Sequence, residues 1–95
     1  MAVGVQLDLK GATLEQYDKV LQKMGFRPGG PGAPGALFHW VTKTADGIRV
    51  IDVWESRATF DKFAQEKIGP ITQEVGVPAP PEMQFFEVHN HLTAG

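Results

Sequence analysis

The chain has 95 residues, enough for one small domain that buries little more than half of the surface exposed by its unfolded form. Its net charge of -2, with lysines and arginines scattered among acids, argues against nucleic acid or an anionic membrane as a partner. The absence of cysteine excludes disulfides, zinc-thiolate sites and cysteine nucleophiles. The sequence shows neither a basic leader with a cleavage signal nor an apolar run of membrane-spanning length. We therefore expect a single soluble, cytoplasmic domain over residues 1–95.

The first half of the chain predicts a strand, a helix and a loop. Apolar and polar residues alternate over residues 3–9, which is typical of a half-buried strand. Thr13 and Gln16 then have the spacing of a capping box, and Gly25 stands where a left-handed helix cap is expected. The following stretch RPGGPGAPG, residues 27–35, is dominated by proline and glycine and is predicted to be a loop.

The second half predicts a hairpin, a second helix and a last strand. The runs ALFHWVT and GIRVIDVWE are rich in β-forming residues and meet at Asp46-Gly47, a common hairpin turn. Ser56 is the expected cap of a helix over SRATFDKFAQEKIG, and Pro70 starts a further short helical piece. MQFFEVHNHL is predicted to be the last strand.

The order of these elements is β-α-β-β-α-β, which predicts an α+β fold of the ferredoxin-like type with a four-stranded antiparallel sheet. Both helices then cover one face of the sheet and leave the other face open. An open face that carries apolar residues is an association site. We therefore expect either a second copy of the chain, giving a homodimer, or a ligand to cover it.

The register of the hairpin decides which side chains share a face. A two-residue turn at Asp46-Gly47 places His39 opposite Trp54. A three-residue loop with a glycine bulge is the alternative, and it would move His39 to the other face. Asp52 and Trp54 share a face with either turn.

Apolarity then suggests which face lies under the helices. We expect the helices to cover Phe38, Trp40, Ile51, Val53, Phe86 and Val88, together with the odd-numbered residues of the first strand from Val3 to Leu9. The open face would then collect the polar and aromatic residues His39, Asp52, Trp54, Phe85, Glu87, His89 and His91.

The stretch GIRVIDVWESRATFDKFAQEKIGP, residues 47–70, resembles the antibiotic biosynthesis monooxygenase-like family of dimeric α/β-barrel proteins. The similarity consists of a strand that ends in Trp-Glu-Ser and runs into a helix with the pattern Ala-x-Phe-x-x-Phe. The resemblance implies that two sheets associate into a barrel and that a cavity lies inside the barrel or between each sheet and its helices. It also implies that Trp54 lines this cavity.

The same resemblance implies chemistry with O2, since some members oxidise polyphenolic or anthrone-like molecules without metal, flavin or haem. Other members degrade haem, isomerise lactones or have no assigned activity. The chain departs from two of these patterns. Val50 stands where the quinone-forming members have an asparagine, and the second helix has no histidine, which the haem-degrading members require.

The leading hypothesis is therefore a cofactor-independent monooxygenase-like enzyme that acts on a planar aromatic or polyketide-type molecule. Histidine titrates near neutral pH, so His39 is the expected base, with Asp52 orienting its ring and Trp54 stacking on the substrate. Phe85, His89 and His91 are expected to contact the substrate.

Two less specific interpretations compete with this hypothesis. A cavity of the same kind could hold a small ligand without catalysis, and the His39 group could be a cross-strand contact in a dimer interface. His89 and His91 point to the same side of a strand, so they could bind a metal with His39 or Asp52, although three histidines without a carboxylate cluster are more often not ligands. We expect no metal or cofactor.

Overall fold

The computed structural model describes residues 1–93, so residues 94 and 95 of the expected domain lie outside the described range. The sheet has four antiparallel strands in the order β2-β3-β1-β4. The strands are β1 (Val3–Lys10), β2 (Ala36–Lys43), β3 (Gly47–Trp54) and β4 (Glu82–Glu87). This architecture confirms the predicted α+β, ferredoxin-like arrangement.

The first helix, α1 (Leu14–Met24), begins and ends where the sequence predicts. The Thr13 hydroxyl accepts a hydrogen bond from the backbone N–H of Gln16 at 3.1 Å, and the Gln16 side chain accepts one from the N–H of Thr13 at 3.0 Å. This capping box satisfies two N–H groups that have no partner within the helix. At the other end Gly25 takes the left-handed conformation with φ 83°.

The second helical region consists of three consecutive segments. These are α2 (Arg57–Phe63), a π-helical turn (Ala64–Ile68) and α3 (Gly69–Val75). Ser56 caps α2 by accepting a hydrogen bond from the N–H of Thr59 at 3.1 Å. Pro70 has no N–H to continue the α-helical pattern and its ring crowds the preceding turn, which accounts for a widened turn at this point.

The hairpin turn lies one residue earlier than predicted. The N–H of Thr44 donates to the carbonyl of Gly47 at 2.9 Å, so the two turn residues are Ala45 and Asp46. Gly47 is instead the first residue of β3, where a Cβ would lie 2.1 Å from the backbone oxygen of Leu9. The glycine is therefore needed for close contact between β3 and β1 rather than for a positive φ.

Backbone pairing fixes the faces of β3 and corrects the assignment made from apolarity. Val5 of β1 pairs with Asp52 of β3, and Asp52 pairs on its other side with His39 of β2. Since paired residues share a face, His39 and Asp52 lie on the same side as the core residue Val5, under the helices. The set Ile48, Val50, Asp52 and Trp54 is buried. The predicted grouping of His39, Asp52 and Trp54 is confirmed, but its placement on the open face is wrong.

The assignment of the last strand is wrong for the same reason. Phe85 pairs with Val5 and packs on Phe60 with ring centroids 5.7 Å apart, whereas Phe86 pairs with Gly4 and is exposed on the open face. The strand also ends at Glu87, so the residues that follow are not part of the sheet.

The core beneath the helices is centred on three aromatic rings. Trp54 and Phe60 are almost completely buried, and their rings meet edge to face with centroids 5.6 Å apart. Phe63 also packs on Trp54, with ring centroids 5.1 Å apart. Aromatic pairs of this kind contribute about 0.5–1.5 kcal/mol each beyond the burial of their surface.

The open face is divided into a charged end and an apolar end. At the charged end Arg49 pairs with Asp8 at 2.7 Å and Lys10 pairs with Glu82 at 3.1 Å. The Arg49 hydrogen bond holds the pKa of Asp8 below its usual value, against the opposing effect of burial. The apolar end carries Phe38, Trp40, Ile51, Val53 and Phe86, and three of these are large exposed rings: Phe38 at 57%, Trp40 at 46% and Phe86 at 51%.

Candidate functional site

A cleft of about 880 Å³ lies between the sheet and α1. The floor is formed by apolar residues of β1 and β3, and one wall by α1 and by the Pro/Gly-rich loop at residues 28–33. The edge strand β2 forms the opposite side. Volumes of about 300–1,000 Å³ and a mainly apolar lining with a few polar groups are typical of small-molecule sites.

Asp52 is the polar centre of this cleft. Its carboxylate accepts a hydrogen bond from Nδ1 of His39 at 2.6 Å and one from Nε1 of Trp54 at 3.0 Å. Asp52 is only 5% exposed and Trp54 only 2%. Each carboxylate oxygen thus has a partner, which is the condition under which a buried polar group is tolerated. The three residues predicted from the sequence as catalytic are therefore brought together at one point in the cleft.

Tyr17 on α1 extends this chain of hydrogen bonds. Its hydroxyl is hydrogen-bonded to Nε2 of His39, and the two rings are nearly parallel, with 10° between their planes. Burial raises the pKa of the Tyr17 phenol to about 12, and the negative charges of Asp52 and Asp18 act in the same direction. The phenol is therefore protonated at neutral pH and acts as a hydrogen-bond donor.

The four side chains form a continuous chain from Tyr17 through His39 and Asp52 to Trp54. Asp52 fixes the tautomer that carries hydrogen on Nδ1 of His39, because a carboxylate only accepts hydrogen bonds. Nε2 of His39 then has a lone pair, which accepts from Tyr17. An imidazole held in this way can take up a proton at Nε2, and the resulting charge would be stabilised by Asp52.

The role of Tyr17 could not be predicted from the sequence, because Tyr17 fits the apolar spacing of α1 as well as any core residue does. Its helix position follows from periodicity, but its partner His39 lies on the edge strand 22 residues later. The one available signal was the hydroxyl itself, because a tyrosine on a buried helix face needs a hydrogen-bond partner.

Val50 occupies the floor of the cleft beside Asp52. This is the position at which the resemblance noted above would place an asparagine. The side chain is apolar, so it offers no hydrogen bond to a ligand. Orientation of a bound polar group therefore depends on other polar residues of the lining, which include Tyr17, His39, Asp18 and Arg27.

Phe85, His89 and His91 do not line the cleft in the single chain. Phe85 packs in the core, with the Arg57 guanidinium 3.4 Å from its ring centroid. His89 and His91 follow the end of β4 and are exposed. Their predicted contact with a substrate is therefore not part of the site described here. Within residues 1–93, no group of three or more His, Cys, Asp or Glu side chains is arranged to hold a metal ion.

Comparison with known proteins gives similarity in structure but not in sequence. No family model and no curated protein matches the sequence. A monooxygenase of Streptomyces coelicolor in complex with nanaomycin D matches with a TM-score of 0.56 and 19% identity, over 99% of this chain and 92% of that chain. The chain has the fold of the antibiotic biosynthesis monooxygenases.

Two further solved structures support this fold. A variant of SnoaB, a cofactor-independent oxygenase of Streptomyces nogalater, matches with a TM-score of 0.55 and 16% identity, over 98% of this chain and 96% of that chain. A conserved protein of Methanosarcina mazei matches with a TM-score of 0.59 and 8% identity, over 90% of this chain and 91% of that chain.

No helix in the described range is long and apolar enough to cross a membrane.

Proposed function

We propose that the chain is a cofactor-independent monooxygenase-like enzyme that oxidises a planar aromatic or polyketide-type molecule with O2. The observation that carries this proposal is the buried Asp52, which holds both His39 and Trp54 in the wall of a cleft of about 880 Å³. The fold shared with a monooxygenase that binds nanaomycin D and with a cofactor-independent oxygenase agrees with it.

The reaction requires a base, an aromatic surface and exclusion of water. His39 and Asp52 together accept a proton from the substrate, and the substrate anion passes one electron to O2. The resulting radical and superoxide combine into a peroxide, which loses water and leaves a carbonyl: CH2 and O2 give C=O and H2O. Phe26 and the apolar floor of the cleft hold the ring of the substrate in a dry site, where the anion reacts with O2 rather than with bulk solvent. The buried Trp54 holds Asp52 in place rather than stacking on the substrate.

Oxygen uptake by chelator-treated protein with anthrones, hydroquinones and naphthols tests this proposal. We expect uptake by the unmodified chain and at least a tenfold lower rate in the His39→Gln variant. Lys43→Gln is the matched control, because Lys43 is exposed on the same strand and does not line the cleft. Equal rates for His39→Gln and the control would remove His39 from the mechanism.

A non-catalytic ligand-binding protein is the second candidate, and Val50 favours it. An apolar residue at that place leaves the cleft with fewer polar groups to orient a reacting ligand than an asparagine would. In this case an aromatic ligand binds to the chain, no oxygen is consumed, and His39→Gln changes affinity only.

We further propose that the apolar end of the open face is covered by a second copy of the chain. The exposed rings of Phe38, Trp40 and Phe86 form one contiguous surface with Ile51 and Val53. The charged groups at the other end are already paired within the chain, so contact between copies needs no new ion pairs. A patch of this kind meets its own copy across a two-fold axis.

The mass of the protein in solution tests the homodimer. Trp40→Glu places a charge in the apolar patch, and we expect it to convert a dimer to a monomer in sedimentation or light-scattering measurements. Leu14→Gln is the control, since Leu14 is also exposed and apolar but lies on α1, away from the open face. A monomeric unmodified chain at micromolar concentration would refute the proposal.

A further inference from the structure

Both ring nitrogens of His39 already have hydrogen-bond partners. Nδ1 is bonded to Asp52, and Nε2 is bonded to the hydroxyl of Tyr17. Nδ1 carries a hydrogen, which it donates to Asp52. Nε2 is therefore the only ring nitrogen that could act as the base. A ligand in the cleft therefore reaches the lone pair of His39 only by displacing Tyr17 or through its hydroxyl.

The far end of this hydrogen-bond chain is closed. Asp52 and Trp54 are buried, and both oxygens of Asp52 are used by His39 and Trp54. Tyr17 lines the cleft at the other end and is only half-buried. A phenol that donates its hydrogen to one partner keeps lone pairs to accept a second hydrogen bond.

We propose that Tyr17 is the group that contacts the substrate, that the substrate carries an acidic hydroxyl on an aromatic ring, and that its proton reaches His39 through the Tyr17 hydroxyl. This inference rests on the proposed function for the later step with O2, but the proton transfer itself needs no O2. It makes Tyr17 a catalytic residue that the sequence did not predict.

The proton step is balanced and involves no change in oxidation state. The O–H bond of the substrate breaks as its proton moves to the Tyr17 oxygen. The proton that Tyr17 carried leaves that oxygen and moves to Nε2 of His39. The products are an aryloxide, a neutral Tyr17 and an imidazolium paired with the Asp52 carboxylate. Because Tyr17 is neutral before and after the step, its high pKa is not an obstacle.

The requirement for a hydroxyl follows from the lining of the cleft. Apart from Tyr17, His39 and Asp52, the ionisable residues that line it are Asp18 on α1 and Arg27 at the start of the loop. An aryl ether of the same shape satisfies the apolar surfaces but has no hydrogen to donate to Tyr17. The site therefore distinguishes a naphthol from its methyl ether by ionisation rather than by shape.

The test uses 2-naphthol, whose neutral and ionised forms absorb at different wavelengths, added to the protein without oxygen. We expect bound 2-naphthol to ionise at a pH at which the free compound is neutral. The Tyr17→Phe variant is expected to bind the probe with at least a tenfold smaller ionised fraction, as is His39→Gln. Lys19→Gln, an exposed change on the same helix, is the matched control and should behave like the unmodified chain.

The methyl ether 2-methoxynaphthalene separates a chemical role of Tyr17 from a structural one. We expect the unmodified chain and Tyr17→Phe to bind the ether within a factor of about three of each other, which shows that the cleft is intact. Full ionisation of 2-naphthol in Tyr17→Phe would overturn the proton relay, meaning transfer of the substrate proton to His39 through Tyr17. It would make His39 the direct contact. Absence of binding, or of ionisation in the unmodified chain, would overturn the substrate class.

These outcomes are distinct from failure of the monooxygenase. Ionisation that depends on Tyr17, without oxygen uptake on any substrate, keeps the relay and rejects the oxygenase. Oxygen uptake that is lost in His39→Gln but retained in Tyr17→Phe keeps the oxygenase and rejects the relay.

Discussion

Replacement of Asp52 by Asn is the sharpest perturbation of the site, because it keeps the shape of the side chain and removes its charge. The Asp52 carboxylate accepts from both His39 and Trp54, whereas an amide has one accepting oxygen and an NH2 group that only donates. Either an N–H of His39 or Trp54 therefore loses its acceptor, or His39 changes to the tautomer with hydrogen on Nε2 and accepts from the amide at Nδ1. A buried group left without its hydrogen bond costs about 1–3 kcal/mol. For a chain of 95 residues the total stability is about 5–14 kcal/mol, so the loss is a substantial fraction.

Urea denaturation followed by far-ultraviolet circular dichroism measures this loss. With a slope of about 1–3 kcal/mol per molar urea, we expect the midpoint to fall by roughly 1 M. Asp61→Asn is the matched control: it removes an exposed ion pair with Arg57, which contributes about 0.3–0.5 kcal/mol. If Asp52→Asn lowers the midpoint no more than Asp61→Asn does, the hydrogen bonds of Asp52 do not stabilise the fold as described.

A double-mutant cycle isolates the contact between Asp52 and His39. Residues in direct contact show coupling energies of about 0.5–3 kcal/mol, and residues that do not interact show none. We expect the combined Asp52→Asn and His39→Gln variant to be less destabilised than the sum of the two single changes. Strict additivity would contradict the 2.6 Å contact.

The Tyr17 phenol, the Gly47 backbone and the Asp8 carboxylate each lead to a further measurable expectation. Tyr17 is the only tyrosine, so ultraviolet titration of the folded chain should show tyrosinate forming near pH 12 rather than 10. Tyrosinate formation near pH 10, while circular dichroism shows that the chain is still folded, would contradict the burial of Tyr17. Gly47→Ala should destabilise the chain by about 1–3 kcal/mol in urea, because its Cβ would strike a backbone oxygen of β1, whereas Gly69→Ala should not. Arg49 lowers the pKa of Asp8 in the folded chain. The Asp8 carboxylate therefore stabilises the fold at pH values above its pKa in the unfolded chain, and this stabilisation is lost as pH falls through its pKa in the folded chain. Asp8→Asn should flatten this part of the profile of unfolding free energy against pH, and an unchanged profile would refute the pairing.

Local signals in the sequence were sufficient for the elements and their order. The capping box at Thr13, the left-handed Gly25 and the cap at Ser56 each depend on neighbouring residues only, and all three are confirmed. Strand alternation was enough to group His39, Asp52 and Trp54 on one face. The register between β2 and β3 differs from the predicted one by an even number of residues, and an even shift leaves each side chain on the same face.

The side on which this group lies could not be obtained from apolarity, since both faces of the sheet carry large apolar residues. Ile51 and Val53 look like core residues but lie on the open face. Asp52 is buried because its two hydrogen bonds replace water, and one of these comes from a strand partner that is only known once the register is known. The Tyr17 contact is harder still, because it depends on how α1 is placed over the sheet.

The position of His39 on an edge strand has a consequence for how the site behaves in time. β2 pairs with the rest of the sheet on one side only and most of its residues are exposed, whereas Asp52 is on the interior strand β3. Edge segments with few buried contacts open more often than the interior of a sheet, and each opening of β2 separates His39 from Asp52. The fraction of molecules in which His39 is bonded to Asp52 is therefore set by the local opening equilibrium of one strand. A ligand or second chain that contacts β2 raises that fraction, and slower hydrogen exchange of the β2 amides would report it.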